Sequence, residues 1–332
     1  MATIEFSEEQ TMLMETAVDF CRKHSPLDRV RAQIEQSDGI SAEVWQEMVD
    51  LGWLGITVPE PYGGLGLSLA DTVPIAESMG RHLMGSPFVA TTLATQALIQ
   101  NASETQKEHW LPQIAEGSAA SLALTEEDGN WNLTEVGSHA QVQGDKLLLT
   151  AKKCFVLDAP QAAVIVVSAQ VDGAARLVAV TADQLPEGAL VRETVIDETR
   201  RSYTLEVDAL ALPADQLLPG ADFASIEHAA LLLLSAEMSG GLAGVLHVII
   251  DYLTTRKQFD QYIGSYQSLK HPTVQILLSM EACRSHVYRA ATLIAQSDND
   301  AIEEAVRMAK AQGSEAFAFA GDRAVQFHGG FG

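Results

Sequence analysis

The fold of this chain is constrained above all by the order of its secondary-structure patterns. A helical third is followed by a β-rich third and then by a second helical third. Both ends repeat apolar residues with the helical period, whereas the middle consists of short apolar runs separated by turns. The 332 residues suffice for two or three units with separate cores. We predict an α+β fold with an N-terminal helical domain (residues 1–119), a central β-barrel (120–222) and a C-terminal helical bundle (223–332).

Local signals place individual elements within this order. Residues 7–10 (Ser-Glu-Glu-Gln) have the form of a capping box, and Ser41 is expected to begin a helix that stops at Gly52. Periodicity predicts further helices over 69–81 and 104–115, strands at 147–149, 163–167, 177–180 and 201–207, and bundle helices over 226–255, 268–296 and 300–327. Three long helices are most of a four-helix bundle, and we expect the last helix to be missing from the sequence.

The balance of charge argues against two classes of partner. The chain carries 44 acidic and 21 basic residues, for a net charge of −23, so we expect it to bind neither nucleic acid nor an anionic membrane surface. The cysteines (Cys21, Cys154 and Cys283) are scattered without metal-ligand spacing, so neither a disulfide framework nor a metal site is expected. The N-terminus lacks the pattern of a signal peptide, and we expect a cytoplasmic protein.

Five segments at the transitions between the three parts resemble motifs of the acyl-CoA dehydrogenase family. They are the Pro/Gly-rich loop at 58–67, Leu-Ala-Leu-Thr-Glu at 122–126, the segment leaving the β region at 211–220, Arg-Lys-Gln-Phe at 256–259, and Gln-Phe-His-Gly-Gly-Phe-Gly at 326–332. Each motif is weak alone, but five in the same order indicate the family over essentially the whole chain.

This resemblance implies FAD-dependent oxidation of an acyl-CoA to its 2,3-enoyl form, a step of lipid metabolism. In the family a carboxylate removes the α proton while a hydride passes to flavin N5, and an electron-transfer flavoprotein is the expected electron acceptor. Each FAD of the family lies at a subunit interface. One subunit holds the ring through its barrel, and its neighbour supplies the Arg-x-x-Phe-Gly and Gln-x-x-Gly-Gly segments to the adenosine end.

The adenosine side of this arrangement is retained. The resemblance implies that Arg256 pairs with phosphate and that Phe259 packs beside the adenine. It also implies that the Gly-rich motif supplies an amide and a backbone that the ligand can approach closely. One departure is Asp260, which stands where the family has glycine and brings a carboxylate near the phosphates. The predicted residues of this side are Arg256, Phe259, Gln326, Gly329 and Gly330.

The ring side is altered. Thr125 and the aromatic Phe155 match their motifs and are the predicted ring-side contacts. Trp131 replaces a small residue where a ligand needs space, and Leu157 replaces the threonine that would bond the flavin ring. Glu127 and Asp128 add negative charge beside a pyrophosphate. We therefore expect this chain not to bind a flavin ring in its own barrel.

A catalytic base is not found. In most family members it lies beyond the Gly-Gly motif, and in a minority it lies early in the first bundle helix, where this chain has Ala230 and Leu231. Glu227 and Glu237 are out of register, and the catalytic residues remain unknown. We assign structural roles to three other residues, with Gly240 and Gly244 allowing close helix packing and His328 supporting the Gly-rich motif.

The favoured hypothesis is that the chain is the non-catalytic partner in a heteromeric acyl-CoA dehydrogenase. It would complete the adenosine end of an FAD held mainly by a different, catalytic subunit, as in heterotetrameric family members of steroid catabolism. Two alternatives stay open. The chain could be an ordinary homo-oligomeric dehydrogenase lacking its C-terminal catalytic segment, or a non-catalytic acyl-CoA-binding protein on the same fold.

Overall fold

The computed structural model describes residues 8–35, 39–296 and 299–332. The first third contains α1 (Glu8–His24), α2 (Leu27–Glu35), α3 (Ala42–Asp50), α4 (Val73–Arg81), α5 (Phe88–Asn101) and α6 (Glu104–Ala115). The middle contains β1 (Ala119–Ala123), β2 (His139–Gln143), β3 (Lys146–Leu157), β4 (Ala162–Val171), β5 (Ala174–Thr181), β6 (Leu190–Arg192) and β7 (Ser202–Pro213). The last third contains α7 (Phe223–Thr255), β8 (Lys257–Gln258), β9 (Gln261–Tyr262), α8 (Gln267–Gln296) and α9 (Asn299–His328).

Several predicted helices form with their expected caps. Ser41 is the N-cap of α3, its hydroxyl accepting the N–H of Val44 at 3.3 Å, and Gly52 follows the helix in the left-handed region. Helix α6 has the predicted bounds, and the 69–81 pattern becomes a short 3-10 helix followed by α4. The capping box predicted at residues 7–10 begins outside the described residues.

Helices α2 and α5 are absent from the sequence-based predictions. Ten of the 14 residues of α5 are buried, so its apolar residues surround the helix instead of forming one stripe. A helix enclosed on all sides carries no amphipathic period, and periodicity cannot reveal it. Its Ala94, Ala97 and Leu98 pack with α6 and with strands β4 and β5 in one apolar core.

The predicted β region is one seven-stranded sheet. Its strands follow the order β1-β4-β2-β3-β7-β6, with β5 paired to β4. Strand β1 runs parallel to β4, whereas β3 pairs antiparallel with both β2 and β7. Alternate residues of β3, among them Leu147, Leu149 and Ala151, are buried in the core of the sheet, as the two-residue period of a strand requires.

The three predicted bundle helices are confirmed as α7, α8 and α9. Helix α7 is long and apolar enough to cross a membrane, with mean hydropathy 1.7 over its most apolar window. However, 61% of that window is buried inside the protein, as expected for a core helix. The Gly240 and Gly244 prediction is confirmed, because a Cβ on Gly240 would lie 1.7 Å from the carbonyl oxygen of Glu77, and one on Gly244 2.7 Å from that of Arg81.

Contacts divide the chain into two compact units. One contains residues 1–30, 68–84 and 230–332, and the other contains 31–67 and 85–229. The predicted domain boundaries at 119/120 and 222/223 follow changes of secondary structure and remain predictions. Arg256 and the C-terminal Gly-rich motif belong to the first unit, and Thr125, Trp131 and Phe155 to the second.

Candidate functional site

The residues predicted for the adenosine side begin directly after helix α7. Arg256 follows Thr255, the last residue of that helix, and its carbonyl accepts the N–H of Ile263 at 3.0 Å. Between them β8 and β9 form a hairpin in which Gln258 pairs with Gln261. The two residues of its loop therefore lie at a fixed distance from Arg256.

Phe259 and Asp260 form that two-residue loop. Both have positive φ, 53° and 60°, which is the pattern of a type I′ turn. Such a turn favours Asn, Asp or Gly, so aspartate is tolerated where the family has glycine. The ring of Phe259 is carried at the tip of the hairpin, where it is 87% exposed.

The Gly-rich motif starts inside helix α9 and continues past its end. Gln326 lies in the last turn, and Gly329 has φ +61° at the beginning of a short 3-10 helix. His328 has the structural role predicted for it: its ring stacks on Tyr252 of α7 with 4.1 Å between centroids, and its Nδ1 bonds the Ala324 carbonyl at 2.7 Å. The ends of α7 and α9 are therefore tied together.

These tied helix ends present one exposed surface. The guanidinium carbon of Arg256 lies 5.9 Å from the ring centroid of Phe331, within cation–π range. We name this the clamp surface and define it as the exposed residues Arg256, Phe259, Gln326, Gly329, Gly330 and Phe331. A guanidinium, an amide, two glycines and two aromatic rings can bind a phosphate and a purine.

Phe155, one of the two predicted ring-side contacts, lies on strand β3 at a bulge. The register between β3 and β7 shifts between Lys153 and Val156, and Phe155 has φ +56° at this point. Positive φ is strained for a residue with a bulky side chain. The bulge turns Phe155 out of the alternation of β3, and its ring is 49% exposed.

Glu193 holds this bulge in place. Both oxygens of its carboxylate lie 3.3 Å from the backbone nitrogen of Phe155, which donates to them. The hydroxyls of Ser202 and Thr204 donate to the same carboxylate at 2.5 and 2.8 Å. Sequence reasoning missed Glu193, and its only signal is a carboxylate placed between two strands.

Trp131 stacks on the face of Phe155. The two ring planes are inclined by 13° and their centroids are 6.5 Å apart. Trp131 is 71% exposed, so it covers Phe155 without being buried itself. The structure thus places the indole against Phe155, a contact that the sequence did not predict.

The loop that carries Trp131 is braced internally. The side chains of Asp128, Asn130 and Asn132 each accept the N–H two residues further on, at 2.9–3.2 Å. The amides of Asn130 and Asn132, on either side of Trp131, donate to Glu135 at 2.7 and 2.9 Å. Three successive turns of this kind define the backbone position of the indole.

An ion pair beneath this loop ties it to the sheet. Lys153 lies on the inward side of β3, is fully buried, and donates to the carboxylate of Glu126 and, at 2.8 Å, to Ser168. Glu126 also accepts the N–H groups of Gly137 and Ser138 at 3.0 and 3.2 Å. Burial lowers the pKa of Lys153, and Glu126 opposes that shift. A buried lysine with this many partners has a structural role.

Two further positions of the ring-side motifs, Thr125 and Leu157, bond their neighbours through backbone atoms. Thr125 forms an isolated bridge with Cys154, whose N–H donates to the Thr125 carbonyl at 3.0 Å. The carbonyl of Leu157 accepts the hydroxyl of Ser121 at 2.6 Å. Thr125 and Phe155 are therefore brought to the same strand end, and Leu157 offers no side-chain hydroxyl there.

The segment ends on Asp158, a residue that sequence reasoning did not single out. It has φ +52°, is 7% exposed, and stands where the family motif has asparagine. Burial raises the pKa of Asp158 to about 6, against the attraction of Arg201 and two further arginines. Burial also lowers the pKa of Arg201, whose Nη1 is buried and has no hydrogen-bond partner among the residues that the structure describes.

The positions examined for a catalytic base lie on α7. Ala230 and Leu231 are half-buried and carry no titratable group. Glu237 is buried where α7 crosses α4, and a Cβ on Gly80 would lie 2.0 Å from its carbonyl oxygen. Among the described residues, no group of three or more His, Cys, Asp or Glu side chains could hold a metal ion.

Comparison with known proteins supports the same family from both ends of the chain. The family models "Acyl-CoA dehydrogenase, N-terminal domain" and "Acyl-CoA dehydrogenase, C-terminal domain" match residues 7–118 and 228–332. Acyl-CoA dehydrogenase FadE12 of Mycobacterium tuberculosis is 30% identical over 311 residues, covering 88% of this chain and 79% of that protein.

Solved structures extend the comparison to the fold. A variant of the Tcur3481-Tcur3483 steroid ACAD superposes with a TM-score of 0.87 at 28% identity, covering 98% of this chain and 88% of that one. The ChsE4-ChsE5 complex of Mycobacterium tuberculosis gives 0.88 at 23% identity, covering 99% and 88%, and shows likeness of fold alone. The sequence matches, the order of elements and the five motifs agree, and the chain belongs to the acyl-CoA dehydrogenase family.

Proposed function

We propose that this chain is the non-catalytic partner subunit of a heteromeric acyl-CoA dehydrogenase. It offers its clamp surface to the adenosine end of an FAD whose ring is held by a different, catalytic subunit. The observation that carries the proposal is an asymmetry within one chain. The clamp residues are kept and exposed, whereas the aromatic face on β3 is covered by Trp131.

The clamp surface fits one end of the cofactor. Arg256 can pair with a phosphate through two N–H groups, and Phe259 presents a ring of which 87% is accessible for adenine packing. Gly329 and Gly330 have open space where a Cβ would be, so a ligand can approach their backbone closely. An exposed half-site of this kind needs a second surface to enclose a ligand.

The ring side does not fit the other end. A flavin on the face of Phe155 would have to displace Trp131 from a loop braced by three side-chain-to-backbone bonds. The side chain of Leu157 cannot donate the hydrogen bond that its family counterpart supplies. These residues disagree with binding of the ring, and no catalytic step is assigned to this barrel.

The roles of the two subunits follow from this asymmetry. When bound in the complex, FAD would accept the hydride from the acyl-CoA, and an electron-transfer flavoprotein would reoxidise it. The catalytic subunit would supply the base and the acyl-CoA site. This chain's residues would bind the adenosine end: Arg256 by charge, Phe259 by stacking, and Gln326 by its amide.

The names of two similar structures agree with a complex of different chains. One is described as the Tcur3481-Tcur3483 steroid ACAD and the other as the ChsE4-ChsE5 complex. On this basis we propose a heterotetramer that acts on a bulky, steroid-derived acyl-CoA. The similarity supports the class of assembly, while the substrate itself has to be found by assay.

Co-expression with a second dehydrogenase-like chain from the same operon tests the proposal. We expect this chain to be colourless when purified alone, and the complex to contain one FAD for each pair of chains. Desaturation of a steroid acyl-CoA thioester should require both chains. One FAD per chain in the protein purified alone would instead support an ordinary homo-oligomeric dehydrogenase, and acyl-CoA binding without flavin in every complex would support a binding protein.

A further inference from the structure

The stacked pair of Trp131 and Phe155 forms an exposed aromatic surface of the kind that binds a ligand. Both rings are exposed, by 71% and 49%, although large aromatic side chains in a folded protein are usually covered. Their planes differ by only 13°, so the two rings are nearly parallel. Because Trp131 is 71% exposed, the indole face turned away from Phe155 is free for a further planar group.

Three carboxylates near this pair have no basic partner in the described part of the chain. Among those residues, Glu193 accepts only from the Phe155 N–H and from two hydroxyls, and Glu135 accepts only from two amides. Asp128 accepts from the backbone of Asn130. Within residues 8–35, 39–296 and 299–332, none of these three carboxylates forms an ion pair, whereas the neighbouring Glu127 is paired with Lys152 at 2.9 Å.

The carboxylates also hold the two rings. Glu135 fixes Asn130 and Asn132 on either side of Trp131, and Glu193 fixes the backbone of Phe155. The segments that carry the two rings are thus held by carboxylates that form no ion pair among the described residues. Such surroundings repel phosphate and carboxylate groups and attract a cation to the aromatic faces.

We infer that the Trp131–Phe155 pair is a docking site for an arginine side chain of the partner subunit. A guanidinium is planar and always charged, and it stacks on aromatic rings, whereas the lysine ammonium is a compact point charge. The inference rests on the proposed function for the existence of a partner. It gives the altered ring side a role in assembly instead of in flavin binding.

The test uses the isolated chain and a tetra-arginine peptide, with tetra-lysine as the matched peptide. Binding is followed by isothermal titration calorimetry, which needs no fluorophore and therefore measures the wild type and the Trp131 variants in the same way. We expect tetra-arginine to bind several-fold more tightly than tetra-lysine, and Trp131→Ala to weaken it about tenfold. Trp131→Phe should retain most of the affinity because a ring remains.

Charge is tested separately, because a chain of net charge −23 attracts any cationic peptide. Glu193→Gln keeps an acceptor oxygen for Phe155 and should weaken tetra-arginine binding severalfold. The matched control is Glu108→Gln, an exposed position on α6, which removes the same charge and should leave affinity within twofold. Circular dichroism confirms that each variant is folded.

Equal binding of tetra-arginine by the wild type and by Trp131→Ala would overturn the inference. So would equal losses from Glu193→Gln and Glu108→Gln, because they would show attraction to net charge alone. In the complex, Trp131→Ala should weaken association with the partner about tenfold, whereas Ile196→Ala, at a fully exposed apolar position, should not. Flavin counts do not enter these readouts, so the inference and the proposed function can fail independently.

Discussion

The clamp surface and the ring side of this chain differ in how their residues are used. On the clamp surface, Arg256, Phe259 and Gln326 are exposed on helix ends and a hairpin tip. On the ring side, Trp131 and Phe155 are exposed, but Lys153 and Asp158 are buried. Changes to these two buried residues should therefore alter stability without altering flavin binding, and changes on the clamp surface should do the reverse. The predictions below test this separation, from the largest expected effect to the smallest.

Lys153→Met should have the largest effect. It leaves the carboxylate of Glu126, whose side chain is 15% exposed, without its charged partner. Removing one member of a buried pair costs about 3–5 kcal/mol of unfolding free energy. Urea denaturation of the isolated chain measures the loss, and the double variant Glu126→Gln/Lys153→Met should recover part of it.

Lys152→Met is the matched control on the same strand. Lys152 is 44% exposed and pairs with Glu127 and Glu206 at 2.9 and 3.4 Å on the surface. Because exposed ion pairs contribute little to stability, its loss should lower the urea midpoint much less than the loss of Lys153 does. Similar losses for the two lysines would show that the Lys153 pair does not stabilise the ring side as we describe.

Asp158→Asn should stabilise the chain above pH 6. The folded-state pKa of about 6 lies above the ordinary value of 3.8, so the wild type loses stability as pH rises through that interval. Asparagine removes this dependence and should gain up to about 3 kcal/mol at pH 7, with no gain below pH 4. Unfolding followed from pH 3.5 to 7.5 measures the curve, and Asp172→Asn, an exposed aspartate with φ +51°, should leave it unchanged. A pH-independent gain from Asp158→Asn would contradict burial as the cause.

Phe259→Ala should weaken FAD binding by the complex without changing the stability of the isolated chain. Stacking of a base on an aromatic side chain contributes about 1–3 kcal/mol, so we expect roughly a tenfold loss of FAD affinity. Fluorescence titration of the FAD-depleted complex measures it. Val325→Ala removes another exposed apolar side chain, next to Gln326, and is the control. A drop in the melting temperature with unchanged FAD affinity would reverse our assignment of Phe259.

Gly329→Ala should have the smallest effect. The φ of +61° is strained for alanine by about 1 kcal/mol. This strain would displace the motif and weaken FAD binding by the complex about fivefold. Gly321→Ala, in the middle of α9 with open space around its Cβ, should instead stabilise the helix by up to about 1 kcal/mol. Identical FAD affinities for both variants would show that the motif backbone does not contact the cofactor.

Much of the helical structure could be predicted from the sequence because it depends on local patterns. The helices α7–α9 and the cap at Ser41 follow from residues close together in the chain. The stack of Trp131 on Phe155 does not, because it joins a loop to a bulge through contacts between Glu193, Ser202 and Thr204. The sequence shows that Trp131 stands where the family has a small residue, but it does not show the hydrogen bonds that brace the loop around it.

The buried charges were beyond sequence reasoning for a related reason. Lys153 shares the inward alternation of Leu149 and Ala151, and an inward lysine is interpretable only once Glu126 is seen beside it. Asp158 and Arg201 likewise meet across strands. Long-range pairing decides both the burial and the pKa of such groups.

The most direct test of the central claim is the FAD content of a complex built with Arg256→Ala in this chain alone. Loss of its charge-assisted hydrogen bonds should cost about 2 kcal/mol, roughly a 30-fold fall in FAD affinity, while the two chains still co-purify. Arg307→Ala, an exposed arginine of α9 paired with Glu303, is the control and should keep one FAD for each pair of chains. Full FAD content and unchanged affinity in the Arg256→Ala complex would contradict the account, because the clamp surface would then not hold the partner's flavin.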